Sequence, residues 1–125
     1  MLDERDASGT ADGRWEERKG RRIYKAYQKK YLAYVRSCSP VARINNRGVE
    51  CAIKGEFREA RILFSEAVKE SADMGPAYNN LAVVLEIFGH EDEAFEMYAR
   101  ACMLEPGNEY FKKNMLYTVE STQRK

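Results

Sequence analysis

The sequence predicts an all-α protein built from repeated helix pairs, a short helical solenoid. Two observations support this prediction. Proline is scarce, with three residues in 125, and no segment alternates apolar and polar side chains for long. The chain also repeats itself, because small, aromatic and turn residues recur 34 positions apart in residues 41–74 and 75–108. A hydrophobic content of 44% is sufficient for the core of one domain of this length.

The later copy of the repeat, residues 75–108, is the clearer one. Pro76 marks the start of a first helix that should end by Phe88, and Gly89 follows in the turn. A second helix is expected over residues 91–104, before Pro106. Helices cross closely where small side chains meet large ones. The small residues are Ala82, Ala94 and Ala101, and the large ones are Tyr78, Leu81, Leu85 and Tyr98.

The earlier copy, residues 41–74, keeps most of this pattern. Ser39 is a candidate helix cap, and Pro40 suits the first helical position. Helices are expected up to about Lys54 and from about Phe57 to Glu70. Two positions, Arg47 and Ala72, depart from the later copy. The matching residues are Ile44, Gly48, Cys51, Gly55, Ala60, Phe64 and Ala67.

These positions resemble the tetratricopeptide repeat (TPR) family, with Ala82 where that family usually has glycine. The resemblance implies a right-handed superhelix of antiparallel helix pairs over residues 41–122. Residues 41–74 and 75–108 would be the two repeats. A capping helix over 109–122, begun by Asn108, would close the stack.

The N-terminal region differs in composition from the repeats. Residues 1–13 are almost free of apolar side chains, which predicts a flexible tail. Residues 14–38 are predicted to form a basic, tyrosine-rich helix, because four tyrosines are spaced 3, 4 and 3. Residues 14–36 hold nine Lys/Arg against two Glu. The candidate functional residues are Arg21, Arg22, Tyr24, Lys25, Tyr27, Lys29, Lys30, Tyr31 and Tyr34.

Three interpretations of this basic helix remain open. It can pack on the first repeat, since a stack of only two repeats needs its ends covered. It can pair with a second copy in a homodimer, because the tyrosine spacing also suits a coiled-coil seam. It can bind an anionic membrane surface or nucleic acid, whose phosphates Lys and Arg would neutralise. Packing on the repeats is the favoured interpretation.

Sequence motifs for catalysis are missing. The single histidine, His90, is predicted in a turn, and no nucleophile has a predicted position beside it. There is no phosphate-binding glycine loop, HExxH or CxxC. The three cysteines do not have metal-ligand spacing. We therefore expect no enzyme activity, metal or cofactor. A cytoplasmic location is expected, because no apolar run approaches the ~20 residues of a membrane span and no signal peptide is visible.

The resemblance implies that the chain is a protein-binding adaptor. In that family the first helix of each pair lines a concave groove that takes a peptide or helix of a partner. The implied groove residues are Asn45, Asn46, Val49, Ile53, Asn79, Asn80, Val83, Glu86, Ile87, Tyr110, Lys113, Asn114 and Tyr117.

Three of these asparagines, Asn46, Asn80 and Asn114, recur 34 positions apart. An asparagine side chain has a donor and an acceptor on one short arm. Such a series can pair with successive amides of an extended peptide. The alternative is that this asparagine only follows the common sequence of the repeat family.

Overall fold

The computed structural model describes residues 15–18, 21–26 and 30–123, with side chains described over residues 30–118. Within these ranges there are five helices. Their bounds are Pro40–Ile53 (α1), Phe57–Glu70 (α2), Gly75–Ile87 (α3), Glu91–Leu104 (α4) and Glu109–Gln123 (α5). The helical prediction is confirmed for residues 40–123, with element ends close to those expected from the sequence.

Caps and turns define these helix ends. The Ser39 hydroxyl accepts a hydrogen bond from the amide of Ala42 at 3.2 Å, and Pro40 occupies the first helical turn. The turns after α1 and α3 place Gly55 and Gly89 at φ 83° and 87°. Only glycine adopts this left-handed conformation without steric cost. The same turn is therefore built twice, 34 residues apart.

The first helix pair has a small residue against an aromatic ring. A Cβ atom added to Gly48 in α1 would lie 2.5 Å from the ring of Phe64 in α2. The residues 34 positions later, Ala82 in α3 and Tyr98 in α4, are both buried in the main core cluster. The close approach predicted from the sequence is thus present in the first pair, and the second pair buries the equivalent residues.

Gly48→Ala is expected to destabilise the fold. The added methyl group forces the buried Phe64 ring to move, and overpacking of this kind costs about 1–3 kcal/mol. The better helix propensity of alanine offsets up to about 1 kcal/mol. Chemical unfolding would measure the difference. Gly107→Ala is the control, because nothing lies within 4 Å of its added Cβ. Equal stability of the Gly48 variant and the unmodified chain would contradict the prediction.

The predicted basic helix over residues 14–38 is wrong. The described residues there form an antiparallel sheet of order β1-β2-β3, with strands Trp15–Arg18, Arg21–Ala26 and Lys30–Tyr34. Tyrosine favours strands, and its spacing misled the helical assignment. In a strand, Tyr31 and Tyr34 lie on opposite faces. The predicted flexible tail over residues 1–13 lies outside the described residues.

The third strand joins the sheet to the helices. β3 pairs with β2, with Leu32 opposite Tyr24 and Tyr34 opposite Arg22. It also packs against α1, α3 and α5. We call the surface of these three helices that contacts β3 the groove. Among the helices described, none is long and apolar enough to cross a bilayer.

Candidate peptide-binding groove

The centre of the groove is Asn80 on α3, which is 0% exposed. Its Oδ1 accepts a hydrogen bond from the amide of Ala33 at 2.7 Å, and its Nδ2 donates to the Ala33 carbonyl at 2.8 Å. One side chain thus satisfies both polar groups of one residue of β3. The contact has the same donor and acceptor pattern as a neighbouring strand, although it is made by a helix.

The same two-bond contact occurs on either side of Asn80. Asn114 on α5 bonds Tyr31, with 2.9 Å to the amide nitrogen and 2.9 Å to the carbonyl oxygen. Asn46 on α1 bonds Val35, with distances of 2.8 and 2.7 Å. We call Asn46, Asn80 and Asn114 the asparagine ladder. It binds residues 31, 33 and 35, so the segment runs from α5 to α1, opposite to the order of the helices.

Two further asparagines orient the ladder. Asn79 donates to the Tyr31 carbonyl at 2.9 Å, and its Oδ1 accepts from Asn114 at 2.8 Å. Asn45, one helix pair earlier, is arranged in the same way. Its Nδ2 donates to the Ala33 carbonyl at 3.0 Å, and its Oδ1 accepts from Asn80 at 2.8 Å. The amides of Asn80 and Asn114 are thereby held with their oxygens toward a peptide N–H, and neighbouring helices are linked through side chains.

The alternation of a strand explains how β3 has partners on both edges. Successive residues of a strand direct their amide and carbonyl groups to opposite edges. Residues 31, 33 and 35 face the asparagine ladder. The intervening residues, Leu32 and Tyr34, therefore face β2, with which they are paired. Both edges of β3 are occupied, one by a strand and one by helix side chains.

The side chains of β3 are buried on both faces. Leu32 belongs to the main core cluster, together with Val49 and Val83. Ala33 is 0% exposed and lies in a second cluster with Tyr78 and Phe111. Tyr31 also packs against that second cluster, edge to face with Tyr110 at 4.8 Å between ring centroids. The groove therefore encloses side chains as well as the main chain.

A charged side chain enters the groove beside α5. Lys30 is 3% exposed. Its ammonium donates to Glu86 Oε1 at 2.6 Å, to the Asn114 carbonyl at 3.0 Å and to the hydroxyl of Thr118. The Tyr98 hydroxyl lies 3.4 Å away. We call the site formed by Glu86, Tyr98, Asn114, Tyr117 and Thr118 the lysine pocket.

The electrostatics of the lysine pocket combine burial with a charge partner. Burial lowers the pKa of Lys30, and the hydrogen bond and charge of Glu86 oppose that shift. Burial, followed by the Glu86 charge, raises the pKa of Tyr98 well above its ordinary value. The Tyr98 hydroxyl therefore keeps its proton and donates it to Glu86 Oε1 at 2.6 Å. The pocket thus surrounds one ammonium group with hydrogen-bond acceptors, and Glu86 among them is itself held by the Tyr98 hydroxyl.

Most residues predicted for the groove from the sequence lie at it. Eight contact the segment of residues 30–35 directly, and four belong to or pack against the core cluster that holds Leu32. Lys113 is exposed, with its ammonium 5.9 Å from the Tyr110 ring centroid. The direct contacts are Asn45, Asn46, Asn79, Asn80, Glu86, Tyr110, Asn114 and Tyr117. The cluster residues are Val49, Ile53, Val83 and Ile87.

In the described part of residues 14–35, the basic residues lie on strands and not on a helix. The sequence predicts Lys30 as an anion-binding or self-association residue of a basic helix, and the structure instead places it in β3, buried against Glu86. Tyr31 and Tyr34 are half-buried against the core clusters. Arg21, Arg22, Tyr24 and Lys25 belong to β2, and their side chains lie outside the described residues. The predicted positions of Tyr27 and Lys29 also lie outside them.

Sequence reasoning missed the residues that occupy the groove and two that form the lysine pocket. Tyr98 was assigned only to helix packing, and Thr118 had no assigned role. Lys30 lies 34 positions before Phe64 and 68 before Tyr98, so it stands where both repeats have an aromatic residue, and this departure is a sequence signal of a different structure. Comparison with models of known protein families and with curated proteins finds no match.

Proposed function

We propose that the chain is a non-catalytic adaptor whose groove binds an extended segment of a partner protein. The observation that supports this most directly is the asparagine ladder. Its members bond the amide and carbonyl of alternate residues, as an added strand does. The main-chain amide and carbonyl groups of the segment would supply much of the binding free energy, whatever its sequence. The buried side chains would select between sequences.

Assignment to the TPR family is part of this proposal. The 34-residue period, the two helix pairs and the buried small and aromatic residues support it. The three ladder asparagines occupy equivalent positions on α1, α3 and α5, which the resemblance implies as the lining of the groove. A repeated backbone-binding side chain is what a groove needs to hold a strand along its length.

The segment of residues 30–35 is an intramolecular ligand of this groove. Only residues 36–39 separate it from α1, which begins at Pro40. A tether of this length gives an effective concentration on the order of millimolar. A partner peptide must therefore displace the segment, and the apparent affinity of the peptide falls by the ratio of that effective concentration to the Kd of the segment for the groove. The resting chain is closed to weak ligands.

A variant that releases the segment tests the proposal. Ala33→Trp places a large ring at a position that is 0% exposed, so we expect the segment to leave the groove. A labelled peptide of residues 28–37 should then bind at least about tenfold more tightly than to the unmodified chain. Fluorescence anisotropy would measure binding, and far-UV circular dichroism would check the helices.

Cys38→Trp is the matched control, because Cys38 is exposed and the segment should stay in place. A helical Ala33→Trp chain that binds no peptide would disprove the proposed function. Lys30→Glu provides a second way to release the segment, since it sets a carboxylate beside Glu86. Light scattering separates binding of a partner from exchange of the segment between two copies, which would double the mass.

A further inference from the structure

We propose that the groove selects partner segments by a buried lysine. Such a segment carries Lys in the lysine pocket, an aliphatic residue two positions later and a small residue one position after that. This inference rests on the proposed function and specifies its ligand. The chain's own segment supplies the pattern with Lys30, Leu32 and Ala33, which are all at most 3% exposed.

The acceptors of the lysine pocket belong to the helices. Glu86 on α3 accepts the Tyr98 hydroxyl from α4 at 2.6 Å, and its second oxygen accepts from Thr118 at 3.0 Å. The Thr118 hydroxyl also lies 3.0 Å from the Asn114 carbonyl. These contacts involve no atom of the bound segment. The site is thus held together by three helices, which orient the carboxylate toward the incoming ammonium.

Aromatic rings form the walls of the pocket. The Lys30 ammonium lies 4.7 Å from the ring centroid of Tyr98 and 5.2 Å from that of Tyr117. Both distances are within the range of cation–π attraction, which strengthens when the cation is desolvated. Rings and carboxylate together favour a cation at this position. A neutral side chain would leave the Glu86 carboxylate part-buried without its charge partner.

The shape of the pocket favours lysine over arginine. The ammonium has oxygen partners on Glu86, Asn114 and Thr118, and an ammonium carries three donors. A guanidinium is planar and wider, and its five donors need acceptors spread over a larger area. Lys30 is almost completely enclosed, and the acceptors described around its ammonium are too close together to pair with a guanidinium. Arginine at this position is expected to bind less tightly.

The segment residue that bonds to Asn80, which is Ala33 in this chain, must have a small side chain. Ala33 is enclosed by the cluster of Tyr78, Ala101, Tyr110 and Phe111. Its main chain is fixed by Asn80 and Asn45, so it cannot move away from that cluster without losing hydrogen bonds. A larger side chain is therefore rejected at this point, whereas the exposed residues after Val35 carry no such restriction.

A peptide panel on the released Ala33→Trp chain tests the selection. Relative to the parent peptide of residues 28–37, Lys30→Met should weaken binding on the order of ten- to a hundredfold. Lys30→Arg and Ala33→Leu should weaken it as well. The matched control is the Lys29→Met peptide, which has the same net charge and composition as the Lys30→Met peptide but keeps Lys30. It should bind within about threefold of the parent peptide.

A change in the groove provides an independent readout. With Glu86→Gln in the released chain, the preference for the lysine peptide over the Lys30→Met peptide should shrink, because the carboxylate is gone. Equal binding of the two peptides to the Glu86-containing chain would overturn the lysine selection and leave the adaptor proposal intact. Failure of every peptide to bind would instead disprove the adaptor proposal.

The selection can also be tested without the released variant. In the full chain, Lys30→Met weakens the chain's own segment, so the parent peptide should displace it more easily than in the unmodified chain. Lys29→Met in the full chain is the control and should have little effect on displacement. Equal displacement in both variants would overturn the role of the lysine pocket.

Discussion

Asn80→Asp is expected to destabilise the protein by about 3–5 kcal/mol. The change keeps the acceptor for the Ala33 amide and replaces the donor by a second carboxylate oxygen. That oxygen would face the Ala33 carbonyl and Asn45 Oδ1, both 2.8 Å from Nδ2 and both acceptors. The site is 0% exposed, so water cannot separate them. Urea unfolding would measure the loss.

The pH dependence of this variant follows from the same contacts. Protonation restores a donor, so the folded state raises the pKa of the introduced carboxyl group. Stability is then greatest relative to the unmodified chain below the unfolded pKa, about 3.9, and is lost as the pH rises through the folded value. Asn46→Asp is the control and should lose less stability than Asn80→Asp. Asn46 is 8% exposed, and its Nδ2 donates to the Val35 carbonyl but, among the described residues, to no asparagine. A larger loss at Asn46 than at Asn80 would contradict the account.

Lys30→Met and Glu86→Gln are each expected to cost about 3–5 kcal/mol, and the double variant should recover much of the loss. Removing one partner leaves the other charged group buried without compensation. The double variant leaves neither charge. A double-mutant cycle from thermal or urea unfolding would give the coupling energy.

The control for this cycle is Lys113→Met, because Lys113 is an exposed lysine on α5, the helix that also carries Asn114 and Thr118. It should change stability by no more than about 0.5 kcal/mol. Additive effects of Lys30→Met and Glu86→Gln would show that the two groups do not act as a pair.

The helices could be predicted because their signals are local. Ser39, Pro40 and Asn108 mark helix starts through their own hydrogen bonds or geometry, and Gly55 and Gly89 mark turns through a conformation that other residues avoid. The 34-residue period then confirmed each assignment in the other copy. Helix ends of this kind depend little on distant parts of the chain.

The ladder could also be predicted, but its occupant could not. Asn80 indicated that an extended main chain would lie against α3, since its side chain offers one donor and one acceptor. Whether that chain belonged to another protein depended on the structure of residues 14–38. Tyr31 and Tyr34 there fit a helical stripe by spacing and a strand by propensity. Contacts with the core and with Asn114, which lies 83 residues from Tyr31, favour the strand.

The asparagine ladder alone does not fix the register of a bound strand in the groove. Alternate residues of a strand are about 6.7 Å apart, and the asparagines hold residues 31, 33 and 35 at this interval. Three equivalent contacts cannot distinguish a strand from the same strand translated by two residues. Along the described part of the groove the lysine pocket occurs once, beside the contact of Asn114 with Tyr31, and it distinguishes one register from the other. Lys30 therefore fixes the register of the strand along the groove.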